Sequence, residues 1–401
     1  MSRVVVVGAG IGGLAAAVGL RRVGWDVTVY EQAASAEPVG AGISLWSNAL
    51  RALEWLGVGE AIRSRGAVRL GGGARTPSGR WLSRSMAEAV LADDETTMVM
   101  VHRADLHEAL LAALPPGVVR FGHRLERVDD GPDAVSVDLA TAAGQVTDRA
   151  DLLIAADGIR SVVRSQVWPA EFAPRYSGVT AWRGVTDQPF PLAEQSQTFG
   201  PATEVGIIQL QDGRVYWYAT GDDAEGTTAP DERAEVLRRI GGWHAPIRQV
   251  VEATLPERVL RHDLYRLPRP YPSFVRGRIA LLGDAAHAML PTLGQGGCLA
   301  LEDAVVLATV LSAPGEVPGG GDGPGGVDIG AALMAYDQAR RPRDQRLAAA
   351  SDQIAKITQL RHPAALFLRD LMVRLTPPKL AARSIARATD WYPPRDPGVT
   401  A

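Results

Sequence analysis

The sequence predicts an α/β protein, α+β overall, in which a Rossmann-like dinucleotide-binding domain is interleaved with an antiparallel-sheet domain and followed by C-terminal helices. Three observations support this fold class. A valine strand with a glycine-rich turn opens the chain at residues 4–13, β-branched segments fill the middle from residue 176, and a buried strand returns at residues 279–282. The chain has 401 residues, enough for two or three domains. The dinucleotide-binding domain is therefore predicted to be discontinuous.

The first element is a strand, helix and strand unit in the stretch VVVVGAGIGGLAAAVGLRRVGWDVTVYEQ, residues 4–32. Four consecutive valines predict a strand buried on both faces, and the apolar run after the glycines predicts a helix packed on it. Gly8 permits the tight turn, Gly10 lets a pyrophosphate approach the backbone, and Gly13 lets the helix sit close to the sheet. Glu31 ends the second strand, where a carboxylate can accept both hydroxyls of an adenosine ribose. The unit predicts a dinucleotide site.

The next segments continue this domain. A glycine-rich loop at Gly42 suggests close backbone approach and leads into a helix predicted from about residue 47 to residue 56. The pattern RADLHEALLAAL predicts another helix, and LERVDD with AVSVDLA predicts a hairpin. Residues 152–155 then predict a buried strand that ends in Asp157 and Gly158, where a sharp turn leads into a helix.

The sequence pattern changes in the middle of the chain, from residue 176 onward. The runs GVTAWRGVT, TEVGIIQL and RVYWYAT predict an antiparallel sheet, with Asp212 and Gly213 linking two of its strands. A long helix is predicted at residues 296–311, after the returning buried strand. Residues 312–330 are rich in Gly and Pro and predict a flexible surface loop, and two or three helices end the chain.

Composition excludes several classes of function. The net charge of −3 gives no positive field for a nucleic-acid backbone, so no nucleic-acid partner is expected. The single cysteine, Cys298, cannot form an internal disulfide, and no apolar run reaches membrane-spanning length, so we expect a cytoplasmic protein. The seven histidines are scattered without paired spacing, so no metal site is predicted and His287 is interpreted as structural.

The C-terminal region is basic. From residue 331 onward, twelve Lys or Arg stand against six Asp or Glu. Either this amphipathic tail touches a membrane surface, or its helices pack on the body of the protein with solvated arginines outward. We favour the second interpretation and expect no membrane contact.

Three motifs follow one another along the chain: the glycine-rich unit with Glu31, DGIRSVVR at residues 157–164, and GDAAHAMLPTLGQGG at residues 283–297. Together they resemble the FAD-dependent aromatic hydroxylases, single-component flavoprotein monooxygenases of the p-hydroxybenzoate hydroxylase fold, over nearly the whole chain. The ending GQGGCLALEDA is most similar to the branch that contains zeaxanthin epoxidases and bacterial urate hydroxylases. Cys298 in this ending is interpreted as a small buried helix residue.

The resemblance implies FAD, bound without a covalent link, as the cofactor. Asp284 is then the acceptor of a ribityl hydroxyl, the Gly294–Gly297 turn faces the flavin pyrimidine, and Gly296 needs glycine both for close approach and for its dihedral angles. Arg103 is implied near the diphosphate, with a surface helix-cap arginine as the alternative. The expected cofactor-binding residues are Gly8, Gly10, Ile11, Gly12, Gly13, Glu31, Gln32, Gly42, Ile43, Arg103, Asp157, Asp284, Pro291, Gly294, Gly296 and Gly297.

The resemblance also implies a domain division. We expect an FAD-binding domain made of residues 1–70, 100–175 and 275–345, and an antiparallel-sheet substrate domain made of residues 71–99 and 176–274. A C-terminal helical segment is expected at residues 346–401.

The implied activity is an NADPH- or NADH-dependent and O2-dependent monooxygenation, with oxygen transfer from a flavin C4a-hydroperoxide to an aromatic, heteroaromatic or polyene small molecule. A flavoprotein that does not oxygenate, or that only binds the dinucleotide, is the alternative. The middle sheet would roof the substrate, and its strand period places Tyr216 and Tyr218 on one face and Trp217 on the other. The candidate catalytic and pocket residues are Tyr216, Tyr218, Trp182, Arg183 and Glu204, with ordinary sheet packing as the alternative for the aromatic ones.

Overall fold

The computed structural model describes residues 2–36, 41–68, 72–84, 98–312 and 326–394. Its strands are β1 (Arg3–Val7), β2 (Asp26–Tyr30), β3 (Gly42–Trp46), β4 (Ala67–Val68), β5 (Ala74–Arg75), β6 (Trp81–Ser83), β7 (Met98–His102), β8 (Val119–Arg120), β9 (Arg124–Asp130), β10 (Val135–Thr141), β11 (Gly144–Ala150), β12 (Leu152–Ala155), β13 (Arg175–Val185), β14 (Ser196–Phe199), β15 (Glu204–Gln209), β16 (Val215–Asp222), β17 (Leu260–Arg266), β18 (Val275–Arg276) and β19 (Ile279–Leu281). Its helices are α1 (Ile11–Arg22), α2 (Ser47–Trp55), α3 (Gly59–Arg63), α4 (Arg103–Ala112), α5 (Val162–Val167), α6 (Glu232–Ile240), α7 (Ile247–Glu252), α8 (Asp284–His287), α9 (Gly296–Val310), α10 (Ile329–Thr358), α11 (Pro363–Leu375) and α12 (Pro378–Thr389).

The valine strand β1 lies inside a six-stranded sheet with the order β18, β19, β12, β1, β2, β8. Neighbouring strands are parallel, except that β18 runs antiparallel to β19. Val4 and Val6 are completely buried, as expected for a parallel sheet whose faces are covered by helices. The carboxyl ends of β1, β12 and β19 lie side by side at one edge, where a ligand binds in this class of sheet. The predicted α/β class is confirmed.

A seven-stranded sheet forms the second layer, with the order β17, β13, β16, β15, β14, β5, β6. Its pairs are antiparallel apart from β14 with β5. One face packs with α6 and α7 around Trp217, Val236 and Val250. On the opposite face, Tyr216 packs with Ala41 and the neighbouring apolar residues. The predicted alternation of Tyr216 and Tyr218 with Trp217 is therefore confirmed.

Two small antiparallel sheets complete the body. One has the order β3, β7, β4 and the other the order β11, β10, β9. The second contains the predicted hairpin, with Val137 of β10 opposite Val128 of β9. The first lies against the Tyr216 face of the large sheet, because Ala41 and Met100 share a core cluster with Tyr216.

The expected boundary between residues 345 and 346 falls within a helix of the structure. We expected a helical segment to begin at residue 346, but α10 runs through that position as one helix of 30 residues. Residues on both sides of position 346 are buried against the body, since Arg340 pairs with Asp303 of α9 and Ser351 donates to the carbonyl oxygen of Leu290. Residues 313–325 of the predicted flexible loop lie outside the described residues. Within the described ranges, no helix has both the length and the apolar character needed to cross a bilayer.

Candidate functional site

The inner side of the glycine-rich turn after β1 is closely packed. Gly8 has a φ of +100°, and its N–H donates to the carbonyl oxygen of Tyr30 at 2.8 Å. A Cβ atom on Gly13 would lie 1.9 Å from the Gly8 carbonyl oxygen, and one on Gly12 would lie 2.6 Å from Cδ2 of Leu282. Gly8 therefore provides the left-handed turn, whereas Gly12 and Gly13 allow α1 to pack closely.

The outer side of the same turn is open. A Cβ atom on Gly10 would have no atom of the protein within 4 Å across the described ranges. Gly10 is the N-cap residue of α1, and no side chain among the residues described caps this helix end. Ile11 buries its side chain in the core, which leaves backbone N–H groups at the opening. An uncapped helix N-terminus beside open space is suited to a phosphate group.

Glu31 lies beside this opening, just after β2. Its Oε2 atom accepts from the N–H of Ala9 at 2.8 Å, and its Oε1 atom accepts from the N–H of Ala33 at 2.9 Å. A carboxylate offers about four lone-pair positions, so two remain for ribose hydroxyls. The side chain of Gln32 next to it is exposed. The placement of Glu31 is compatible with its expected role as the ribose ligand.

Glu31→Ala is expected to weaken FAD binding at least about tenfold, because a hydrogen bond to a charged group contributes about 1.5–3 kcal/mol. Titration of the apoprotein with FAD, followed by quenching of flavin fluorescence, measures the affinity. Asp26→Ala is the matched control, since Asp26 is an exposed carboxylate at the opposite end of the same strand. Equal FAD affinity in the Glu31 and Asp26 variants would contradict the assignment.

Asp157 follows β12 at the same edge of the sheet. Its Oδ2 atom accepts from the N–H groups of Val162 at 2.8 Å and Val163 at 3.1 Å, so it caps α5. Its buried Oδ1 atom has no hydrogen-bond partner in the described structure, and burial raises the pKa of Asp157. Gly158 has a φ of +75°, and a Cβ atom there would meet open space. An unpaired buried acceptor requires an explanation, and a hydroxyl of a bound ligand provides one.

Asp284 follows β19 at the third position of this edge. The N–H of Gly283 donates to Oδ2 of Asp303 at 3.1 Å, which fixes the turn and leaves Asp284 exposed at the start of α8. Arg103 faces it from the start of α4. The Arg103 side chain is accessible to solvent yet surrounded by protein, as expected for a residue that lines a cleft. Desolvation lowers its pKa, and the charge of Asp284 opposes this change.

The glycines of the Gly294–Gly297 turn differ in their backbone conformation and in the space around them. Gly294 has the left-handed φ of +62°. Gly296 begins α9 without a left-handed φ, so the expectation that its dihedral angles require glycine was wrong. A Cβ atom at this position would lie 4.0 Å from Oδ1 of Asp284 and 4.0 Å from Cγ of Met289, so the described residues leave room beside Gly296. A Cβ atom on Gly297 would lie 3.0 Å from Cδ1 of Ile43.

Strand β3 lies between this turn and the large sheet. A Cβ atom on Gly42 would lie 2.6 Å from Cγ of Tyr216. The close approach expected at Gly42 is therefore made by a side chain of this protein, and a cofactor contact at Gly42 remains a prediction. Pro291 begins a short 3-10 helix that ends at Gly294, on the accessible side of the same region.

The cleft face of the seven-stranded sheet carries Arg183, Glu204, Tyr216, Tyr218 and His262. In the strand register Arg183 pairs with Tyr218, so the two share this face. The charge and hydrogen-bonding of Arg183 act on Tyr216, although burial raises the pKa of that phenol overall. The hydroxyl of Tyr218 donates to Oε1 of Glu204 at 2.5 Å. Burial raises the pKa of Glu204, which favours a neutral carboxyl group.

Trp182 does not belong to this face, and the expectation that it lines the substrate pocket was wrong. It pairs with Ala219 in the sheet and packs in the core cluster of Trp217. Its indole N–H donates to Oε2 of Glu232 at 2.7 Å, and the guanidinium of Arg239 lies over its ring. The side chain is therefore fixed behind the sheet, on the α6 side.

Two further polar residues lie on the cleft face and were not predicted from the sequence. His262 of β17 pairs with Ala181, two residues from Arg183 on the same face. Desolvation lowers its pKa, and the positive charges of Arg183 and Arg103 lower it further. Gln197 of β14 donates to the Tyr218 hydroxyl at 2.8 Å. Neither residue lies in a motif, and only the strand register could have identified them.

An ionic cluster, defined as His287, Glu302, Asp303, Arg340 and Asp344, is buried behind the Asp284 turn. Arg340 donates to Glu302 at 2.6 Å and to Asp303 and Asp344 at 2.7 Å each. His287 lies 2.7 Å from Asp303, and although burial alone would lower its pKa, Asp303 and Asp344 raise it to about 9. Ligand atoms of His287, Asp303 and Asp344 lie within 4.8 Å of one another. Arg340 places a positive charge among these carboxylates, which is compatible with the expected structural role of His287.

These residues fit FAD. The open Gly10 turn suits the diphosphate, and the unpaired oxygen of Asp157 and the exposed carboxylate of Asp284 suit hydroxyl groups of the cofactor. The N-terminus of α9, whose Gly296 leaves space beside Asp284, would face an electron-rich ring edge. All of them lie at the carboxyl ends of β1, β12 and β19 or beside them.

The comparisons with known proteins agree with this geometry. A family model described as an FAD binding domain matches residues 1–351. An aurachin C monooxygenase/isomerase of Stigmatella aurantiaca is 38% identical over 375 residues, which cover 93% of this chain and 94% of that protein. An FAD-dependent urate hydroxylase of Klebsiella pneumoniae is 34% identical over 352 residues, covering 85% and 86% of the two chains. The structure of Klebsiella pneumoniae HpxO complexed with FAD and uric acid has a TM-score of 0.85, with 29% identity and coverage of 97% of this chain and 96% of that chain.

Proposed function

This chain belongs to the FAD binding domain family and is an FAD-dependent monooxygenase, and from that premise we propose that it hydroxylates a planar heteroaromatic ring held between the FAD site and the cleft face. The proposal includes NADPH or NADH as the reductant and O2 as the oxygen source. The observation that carries it is the juxtaposition of Arg183, His262 and Tyr216 with Arg103 and Asp284 of the FAD site. Charged groups at the cleft favour a polar ring over a polyene. The uric acid bound to the related HpxO structure supports the same choice.

FAD, when bound, supplies the redox chemistry that activates O2. The task of the protein is to hold the substrate and to exclude water. Tyr216 packs with Ala41, Met100, Val185 and Leu210, which gives the roof a dry apolar part. Aromatic side chains suit this role because they offer a large area with few rotatable bonds.

The polar groups of the cleft face orient the ring, accept its proton and stabilise the resulting anion. A hydroxyl or N–H group on a heteroaromatic ring activates the ring when it loses its proton. The positive charge of Arg183 stabilises the resulting anion, and His262 with its lowered pKa is neutral near pH 7 and accepts the proton. Glu204 and Gln197 act as positioning residues, since both are hydrogen-bonded to the Tyr218 hydroxyl.

A substrate screen tests the proposal. Purified holoenzyme is mixed with NADPH or NADH and with panels of oxopurines, hydroxypyridines, 4-quinolones, phenols and polyenes, while O2 uptake and coenzyme consumption are recorded. We expect a heteroaromatic compound to stimulate both and to yield a product heavier by one oxygen atom. Stimulation by polyenes alone would refute the substrate class, and coenzyme oxidation without O2 uptake would favour the non-oxygenating alternative.

Tyr216→Ala and Tyr218→Ala are expected to uncouple the reaction. With the best substrate from the screen, the share of coenzyme consumption that ends as H2O2 should rise severalfold, because a loosely held ring or an admitted water diverts the oxidising equivalent. Assays of H2O2 and of hydroxylated product on the same samples measure this share.

Trp217→Phe provides the control on the same strand. Trp217 faces the α6 side, where its N–H donates to Oγ1 of Thr254 at 2.8 Å. This variant should lose stability and keep the wild-type coupling ratio. If it uncouples the reaction while both tyrosine variants stay coupled, the cleft face has been assigned to the wrong side of the sheet.

His262→Gln is expected to change the pH profile. Below its lowered pKa, His262 is protonated, adds positive charge beside Arg183 and cannot accept a proton. In the wild type kcat/KM should therefore rise with pH through an apparent pKa below the usual value of about 6.5, and the variant should lack this limb. His244→Gln is the control, because desolvation also lowers the pKa of His244 but its ring lies beside Thr198 and Ala245. An unchanged profile in His262→Gln would refute the role of His262.

A further inference from the structure

Helix α11 exposes an unusual number of large apolar side chains. Phe367, Leu368, Leu371, Met372 and Leu375 are 67, 62, 38, 51 and 69% exposed. Residues three or four positions apart lie on one face of a helix, so these five form one continuous apolar stripe. A contiguous exposed patch of this kind marks an interaction surface more often than a chance feature.

The orientation of the apolar stripe is fixed by the opposite side of α11. Arg369 is only 5% exposed, and its guanidinium donates to the carbonyl oxygens of Gly200 at 3.0 Å and Phe199 at 3.2 Å. Asp370 accepts from the same guanidinium at 2.9 Å. The helix is therefore held against the seven-stranded sheet by a buried charged anchor, and the stripe faces solvent in the folded protein.

A basic rim follows the apolar stripe in the chain. We define it as Arg374, Lys379, Arg383 and Arg387, all of which are exposed. Only Thr376 and Pro377 separate α11 from α12. Within residues 363–389 the single acidic residue is Asp370, which is paired with Arg369. An exposed apolar helix face followed in the chain by exposed cations is typical of a segment that lies in a lipid interface.

We propose that α11 and α12 dock this protein reversibly on an anionic membrane surface, with the apolar stripe at the acyl boundary and the basic rim at the headgroups. The helices have 13 and 12 residues, shorter than the roughly 20 residues needed to span a bilayer. The helix α11 packs on the body through its Arg369 side, and its apolar stripe stays exposed.

A second copy of the chain is a poorer occupant of this surface. A two-fold contact would bring the same patch of both copies together, and the two basic rims would then repel each other. Anionic headgroups neutralise the rim, so the charges favour lipid over a second copy.

Docking would place the cleft-face sheet beside the lipid. Phe199 and Gly200, which bind Arg369, adjoin the start of β15, where Glu204 lies. Arg369 is close enough for its charge to act on Glu204. The membrane inference does not depend on the identity of the substrate.

Sedimentation with vesicles tests the proposal on the FAD-loaded full chain. We expect binding to vesicles of phosphatidylcholine with phosphatidylglycerol at 0.1 M salt, with at least about tenfold weaker binding to phosphatidylcholine alone and at high salt, since each surface cation adds about fivefold to the affinity. Leu371→Ser with Leu375→Ser should abolish binding, and Arg374→Glu with Lys379→Glu should weaken it at least about tenfold. Val146→Ser, at an exposed apolar residue of β11, should bind like the wild type.

A site-specific probe reports which face meets the lipid. Cys298 is the single cysteine and is buried, so Leu371→Cys introduces one accessible thiol for a polarity-sensitive dye. Its emission should shift to the blue with anionic vesicles, whereas the dye on Val146→Cys should not respond. Absence of binding by the wild type, or equal binding to neutral vesicles, would overturn the proposal. A wild-type dimer that Leu371→Ser with Leu375→Ser converts to a monomer would also overturn it and assign the stripe to a second copy.

Discussion

Gly13→Ala should leave little folded protein. The new Cβ atom would lie 1.9 Å from the carbonyl oxygen of Gly8 and 3.2 Å from the Cβ atom of Ala156. Alanine is favoured over glycine within a helix by about 1 kcal/mol, but this gain is smaller than the cost of moving α1 away from the sheet. Overpacking typically costs about 1–3 kcal/mol and more where backbone must shift. We expect a loss of about 3 kcal/mol or more, measured by urea unfolding of the apoprotein or seen as insoluble expression.

Gly10→Ala is the matched change three residues earlier, and it should act on the cofactor alone. Gly10 has φ −71° and ψ −179°, which alanine adopts without strain, and its Cβ atom would enter the open space beside the N-terminus of α1. The apoprotein should unfold at the wild-type urea concentration, whereas FAD affinity should fall at least about tenfold, because the methyl group holds the diphosphate away from the N–H groups. Wild-type FAD affinity in this variant would place the diphosphate elsewhere.

Arg340→Met should destabilise the protein by about 3–5 kcal/mol, the usual result of removing one partner from a buried ion pair. Methionine fills a similar volume but removes the guanidinium that lies 2.7 Å from both Asp303 and Asp344, whereas Glu302 keeps its pairing with Arg343. Asp303 also holds the N–H of Gly283, so the turn that presents Asp284 should loosen. We therefore expect the variant to lose FAD as well as stability, measured by urea unfolding and by flavin content.

Arg341→Met is the control at the adjacent position. Arg341 pairs with Asp337 at 3.0 Å, with its own side chain 28% exposed. A pair near the surface contributes at most about 1 kcal/mol, so this variant should unfold close to the wild type and keep its FAD. Similar losses in the two variants would show that the ionic cluster adds nothing beyond an ordinary ion pair.

The sequence predicted the parts of the fold that depend on neighbouring residues. The βαβ unit follows from the valine run, the glycine spacing and Glu31, because each feature acts within one turn or one strand of its neighbours. The alternation of Tyr216, Trp217 and Tyr218 was predictable for the same reason, since successive side chains of a strand point to opposite faces.

The pairing of strands from distant parts of the chain was not predictable in this way. Trp182 looked equivalent to Tyr216, but its pairing with Ala219 places it on the opposite face. His262 carried no signal of its own until the register brought it beside Arg183. The two-residue period of a strand determines which of its residues share a face. Which of the two faces meets the cofactor domain depends on how strands from distant segments pair, and no single segment determines that pairing.

The sequence by itself therefore determined the fold class, the dinucleotide-binding turn and the alternation along each strand, because local sterics and hydrophobic period encode them, while FAD followed from the resemblance of its three motifs to a known family. Only the tertiary structure decided that the close approach at Gly42 is made by Tyr216, that Arg340 joins three buried carboxylates, and that α11 turns its apolar side to solvent. These features depend on contacts between residues far apart in the chain. The buried guanidinium of Arg369 holds one face of α11 against the sheet. The apolar stripe lies on the opposite face of this helix and is therefore exposed.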